Sequence, residues 1–97
     1  MLNNSSLQID SNQIINGQID LNNATGQTGG IEIANQNTGV MITNNEIANN
    51  LGTGIGADPG ATGTNFQITG NSIYNNGVDL YGLSGTGIQE SGDCFTQ

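Results

Sequence analysis

Eight carboxylates carry all the side-chain charge of this 97-residue chain, which has no Lys, Arg or His and a formal charge of −8. Carboxylates without bases can bind hard cations or act in pairs on a glycosidic bond. Asp20 in "QIDL" and Asp79 in "GVDL" occupy the same place after an apolar residue, with Gly56 at the corresponding place between them. On stacked strands they would face each other across a joint between two copies, about 4.8 Å apart. That spacing suits Ca²⁺, which takes oxygen ligands. Asp10, Glu32, Glu46, Asp58 and Asp93 recur at no shared position. Glycoside hydrolysis needs two carboxyls about 5–10 Å apart, and no spacing here sets up such a pair. The chain therefore reads as non-enzymatic, with no catalytic residues and with Ca²⁺ as a counterion at most.

Composition removes other chemistries. Phosphate binding depends on Lys and Arg, so nucleic acid is not an expected partner. There is no His for general base work, no Lys for a Schiff base, and no Cys and His set for zinc. Cys94 has no second cysteine to pair with inside the chain, which leaves a small hydrophobe or an intermolecular bridge. Tyr74 and Tyr81 are candidate surface contacts, able to stack on a sugar ring or anchor a lateral partner. Asn3, Asn4 and Asn23 stand in N-x-S/T sequons and accept glycans only where the host glycosylates. No apolar run approaches the roughly 18 residues of a membrane span, and no charged segment marks a signal peptide.

The elements that must position these residues are short. Apolar residues recur at i and i+2 in Leu7–Ile9, Ile19–Leu21, Ile31–Ile33, Val40–Ile42, Phe66–Ile68 and Val78–Leu80. Each pair marks a brief strand with one buried face. Three phrases then align: "LQIDSNQIINGQIDL" from 7, "VMITNNEIANNLGTGI" from 40 and "FQITGNSIYNNGVDL" from 66. Their shared pattern is apolar-x-apolar-x-x-Asn-x-Ile-x-Asn. It aligns Ile9, Ile42 and Ile68; Asn12, Asn45 and Asn71; Ile14, Ile47 and Ile73; and Asn16, Asn49 and Asn75. Anchors 33 and 26 residues apart fall in the range of stacked repeats. The Asn-Gly pairs at 16–17 and 76–77 leave a set of hairpins as the alternative. A threonine row for ice binding fails, because Asp10 takes the place aligned with Thr43 and Thr69.

The phrases resemble the right-handed parallel β-helix repeat of the pectate-lyase-like superfamily, from about residue 7 to 88. The resemblance implies an all-β solenoid and says little of activity, since unrelated functions share that scaffold. On the superfamily's enzymes, acids hold Ca²⁺ and a basic residue abstracts a proton; this chain has no basic residue. Stacked at about 4.8 Å, Ile would lie on Ile, and each Asn amide would donate to the next Asn. The expected domain is single, 1–97, with coils at about 7–39, 40–65 and 66–94. Loops are expected at 22–30, 56–65 and 82–87, and the tail 94–97 starts a fourth coil with Phe95 in the place of Phe66.

Neither end of such a stack shows a polar cap, and a solenoid without caps exposes strand edges. Head-to-tail contacts that do not close give filaments. The expected function is a structural subunit stacking on itself into an extracellular or cell-surface fibre, where a chain lacking Lys and Arg escapes trypsin-like proteases. The alternative is a fragment of a larger carbohydrate-binding or carbohydrate-processing β-helix, with polysaccharide as partner.

Overall fold

Strands in this chain are short because a left-handed residue follows them. Behind four successive strands of one sheet stand Ser11 (φ 61°), Asn44 (57°), Gly70 (75°) and Gly92 (70°). Asn and Gly are the residues that adopt this conformation at least cost. The computed structural model describes residues 4–5, 7–15, 19–21 and 29–95. In chain order the strands are β1 Asn4–Ser5, β2 Gln8–Asp10, β3 Gln13–Ile15, β4 Ile19–Leu21, β5 Gly29–Ile33, β6 Gln36–Thr38 and β7 Met41–Thr43. They continue with β8 Glu46–Ala48, β9 Thr53–Ala57, β10 Thr62–Thr64, β11 Gln67–Thr69, β12 Ser72–Tyr74, β13 Val78–Tyr81 and β14 Gln89–Ser91.

Four parallel sheets result. Their strand orders are β1-β6-β10, β2-β7-β11-β14, β3-β8-β12 and β4-β5-β9-β13. The chain visits the faces in turn and so builds the stack rung by rung, with β4 and β5 consecutive on one sheet and β14 the one strand of the last circuit among the described residues. No described pairing is antiparallel, which excludes the hairpin alternative.

The register confirms the isoleucine rows. Ile9, Ile42 and Ile68 are direct partners, as are Ile14, Ile47 and Ile73. A third row runs Ile19, Ile31, Ile55 and Leu80. Ile31, Ile42, Ile47, Ile55, Ile68 and Ile73 are wholly buried, and Phe66 nearly so. Each such side chain contributes about 1.5–3 kcal/mol by leaving water. Ile9 and Ile14, in the first rung, keep a little exposure.

Three expectations change. The second sheet has four strands, and its fourth begins before the tail. Gln89 pairs with Gln67, so Ile88, not Phe95, takes the place of Phe66. The segments expected as loops contain strand: β5 begins at Gly29, and β10 lies within 56–65. Val78, expected inside, is half exposed, because it pairs with Thr53 at the margin of its sheet.

The 33-residue first interval has its own cause. β3 is followed by β4, and then the chain returns to lay β5 beside β4 on the same sheet. In the next circuit β8 leads directly to β9. β5, the partner of β9, thus takes the fourth sheet's place level with β3, and β4 is an additional strand beyond it.

Candidate assembly interface

Asparagine does two different jobs on two rows. In the buried row, Asn12 donates from its backbone N and its Nδ2 to Asn45 Oδ1, at 2.9 and 3.2 Å. Asn45 repeats this onto Asn71 Oδ1 at 2.8 and 2.9 Å. The Nδ2 groups also donate sideways to backbone carbonyls: Asn45 to Ile9 at 2.9 Å and Asn71 to Ile42 at 3.0 Å. A buried amide whose donors and acceptor are used is stabilising, and one left unpaired is costly.

The second predicted row, Asn16, Asn49 and Asn75, is a corner row. Asn49 and Asn75 are exposed and left-handed, with φ of 58° and 57°, and Asn75 Nδ2 donates to Asn49 Oδ1 at 2.5 Å. Asn16 lies outside the described residues. One position later the sequence reading missed a further inward ladder. Asn50 donates from N and Nδ2 to Asn76 Oδ1 at 3.0 and 2.9 Å, and Asn50 Nδ2 reaches Ile14 O at 3.2 Å. The signal was the doublet: "NN" stands at 49–50 and again at 75–76.

The last rung carries acids at both ladder positions. Glu90 pairs with Ile68, and it is half-buried between exposed Gln89 and Ser91, as an inward side chain should be. Asp93 takes the Asn place, accepting from Asn71 N and Nδ2 at 2.7 Å each. Its Oδ2 is buried and receives no N–H or hydroxyl among the described residues. The Glu90 carboxyl is held above its ordinary range, chiefly by its hydrogen bond with Asp93 and then by burial. A protonated Glu90 supplies the O–H that the Asp93 carboxylate lacks.

The register moves the two aspartates of the calcium reading apart. Asp20 pairs with Glu32, Glu32 with Gly56, and Gly56 with Tyr81. Asp79 lies two residues before Tyr81, opposite Gly54, and accepts from Asn76 Nδ2 at 3.1 Å. The cause is β4: the strand bearing Asp20 is the additional one, so it has no counterpart in later circuits. Asp20 and Asp79 share no row, and the residues do not fit a paired-carboxylate calcium site. Among the described residues no three His, Cys, Asp or Glu side chains converge.

Other acids serve the surface network. Asp10 accepts from Thr43 Oγ1 at 2.6 Å, Ser11 Oγ at 3.1 Å and Asn44 Nδ2 at 3.2 Å, and these bonds hold its carboxyl below the usual range, Thr43 most of all. Glu46 accepts from the Tyr74 hydroxyl and, at 2.7 Å, from Gln13 Nε2. The Tyr74 bond leads in lowering the Glu46 carboxyl and raises the Tyr74 phenol above 10.0. Tyr74 is thus tied to its own row. Glu32, wholly buried, accepts from Thr53 Oγ1 at 2.8 Å, in space that Gly56 leaves open. Tyr81 is 54% exposed and borders an open cleft of about 320 Å³ that also includes Asp58, Thr62, Ser84 and Thr86. Cys94 is exposed and bridges Ser72 through its backbone. Asn3 and Asn23 lie outside the described residues, while Asn4 is in β1 opposite Asn37.

The short parallel strands, four faces and in-register ladders decide the family. The profile of the right-handed β-helix region matches residues 1–96. This chain belongs to that family. No curated protein and no solved structure matches it significantly. The β-helix has open strand edges at either end: β2 and β14 each have one hydrogen-bonded neighbour, as do β4 and β13. No helix among the described residues is long and apolar enough to cross a membrane.

Proposed function

We propose that this β-helix is a structural, non-enzymatic subunit that stacks end to end on further copies into an extracellular or cell-surface fibre. The observation that carries the reading is the direction of the buried ladder. From Asn12 through Asn71 each amide donates towards the next rung, so the ladder has a single polarity that a further copy would share. Unpaired strand edges add a second drive to association. A contact of this head-to-tail kind propagates without closing.

Negative-stain electron microscopy of the concentrated protein tests it. Filaments one β-helix wide, with an axial repeat of about 19 Å for four rungs at about 4.8 Å, are expected. Monodisperse monomers at every pH and concentration would refute stacking. The Tyr81 cleft favours a second reading, a coil set from a larger carbohydrate-binding or carbohydrate-processing β-helix. An aromatic face beside hydroxyls and a carboxylate suits a sugar. Chemical-shift changes at Tyr81 on adding acidic and neutral oligosaccharides would support it, and their absence would remove it.

A further inference from the structure

The fourth circuit is a repeat phrase with two changes. "IQESGDCF" from 88 follows "FQITGNSI" from 66, with Glu90 in the place of Ile68 and Asp93 in the place of Asn71. On the isoleucine row the order is Ile9, Ile42, Ile68, Glu90. On the asparagine row it is Asn12, Asn45, Asn71, Asp93. In a head-to-tail stack Glu90 would be shut between Ile68 below and Ile9 of a second copy above. Asp93 would meet that copy's Asn12.

Both meetings are unfavourable for carboxylates. A charge closed between aliphatic side chains loses its water, and such groups neutralise by taking up a proton instead. The ladder rule requires each member to present N–H groups to the Oδ1 of the next. Asp93 presents an oxygen where Asn45 and Asn71 present Nδ2, and an oxygen facing an oxygen repels until one of them carries hydrogen. Two anionic carboxyls side by side also disfavour each other.

We propose that Glu90 and Asp93 form a proton gate on the axial joint, so that the Ile9 and Asn12 rung of a second copy docks there once the pair has taken up a proton. The inference rests on the stacking reading and adds its regulation. The hydrogen bond from Glu90 to Asp93 already favours the protonated form within one copy, and burial under a second copy favours it further. Few other groups bear on the pair. β11, packed against β14, offers Gln67, Ile68 and Thr69, none of which titrates. The segment after β14 adds only the Cys94 thiol. Across the joint the second copy brings Asp10, on the outer row beside Ser91.

Sedimentation velocity at about pH 5 and about pH 7.5, at matched ionic strength, tests the gate. An association that takes up one proton at Glu90 weakens by up to about tenfold per pH unit, so weaker association at the higher pH is expected. Glu90→Ile with Asp93→Asn, which restores the repeat phrase, should associate equally at both values. Glu90→Gln, which keeps the size of the side chain, serves where that variant does not fold, and it should flatten the slope. Glu46→Gln with Asp58→Asn removes as many charges away from the joint and should keep the wild-type slope. A wild type that associates equally at both pH values overturns the gate and leaves stacking intact. So does a flat response from the Glu46 and Asp58 control. Failure of every variant to associate at either pH overturns stacking itself, and the gate with it.

Discussion

Asn45→Gly and Asn49→Gly place the same change four residues apart, and the two should differ sharply. Asn45 is 2% exposed, and its Nδ2 donates to Ile9 O and Asn71 Oδ1 at 2.9 Å each. Its Oδ1 accepts from Asn12, an exposed residue that water can serve instead. The change therefore removes two buried bonds at about 1 kcal/mol each, while the Ile9 carbonyl keeps its ladder bond to the neighbouring strand. Glycine's extra backbone freedom adds about 0.5–1 kcal/mol. The sum is about 2.5–3 kcal/mol. Asn49 already holds φ at 58° and is exposed, so glycine relieves a left-handed conformation and loses one surface bond from Asn75. Those effects offset to within about 1 kcal/mol. Urea unfolding followed by far-ultraviolet circular dichroism should separate the midpoints by about 2 M, at a slope of about 1–1.5 kcal/mol per M. Equal midpoints, or Asn49→Gly as the weaker protein, would refute the division of the asparagines into a buried ladder and a corner row.

Other expectations follow from single contacts. Ile47→Ala should cost about 2–5 kcal/mol and Ile47→Val about 0.5–1.5, read by the same unfolding, because Ile14 and Ile73 sandwich a wholly buried side chain. Gly54→Ala should destabilise by about 1–3 kcal/mol, since a Cβ there would stand 2.7 Å from the Asp79 carbonyl oxygen. Ultraviolet titration should find Tyr74 ionising above 10.0 and returning towards it in Glu46→Gln. The phenol is raised in the folded state, so its contribution is present below its ordinary value and is lost as pH rises through the folded one. The Glu46 carboxyl is lowered, so its contribution is present above the ordinary 4.5 and is lost as pH falls through the depressed value.

The rows were legible because stacking turns repetition in sequence into contact in space. Ile9, Ile42 and Ile68 could be matched by eye, and each proved a direct partner of the next. The function of each Asn was less legible. Asn45 and Asn49 are the same residue in the same phrase, and only the backbone angle says which turns inward. Asp20 was misread because two strands can follow β3 on one face, and local pattern does not reveal that the chain has doubled back. The excess of the 33-residue interval over the 26-residue one was the clue, and β4 with the segment after it accounts for the excess. The fourth circuit, expected at 94–97, begins at Ile88, and its start was hidden for a chemical reason. Glu90 and Asp93 break the apolar and amide pattern while keeping its positions, so a search by residue type passes over them and a search by register does not.

That substitution also explains how a ladder can end. Asparagine has an acceptor and two donors, so it can receive from one rung and give to the next without limit. Aspartate only receives while it is ionised. Placed after Asn71, Asp93 satisfies the last amide, with both donors reaching Oδ1 at 2.7 Å, and passes nothing on. Glu90, the register partner of Ile68, does the same for the apolar row by putting a carboxyl at its end. Protonation of the pair reverses both effects, since a carboxyl O–H can donate and a neutral acid tolerates burial. Stop and continuation thus differ at this rung by a proton and two functional groups, on a backbone that follows the same register throughout.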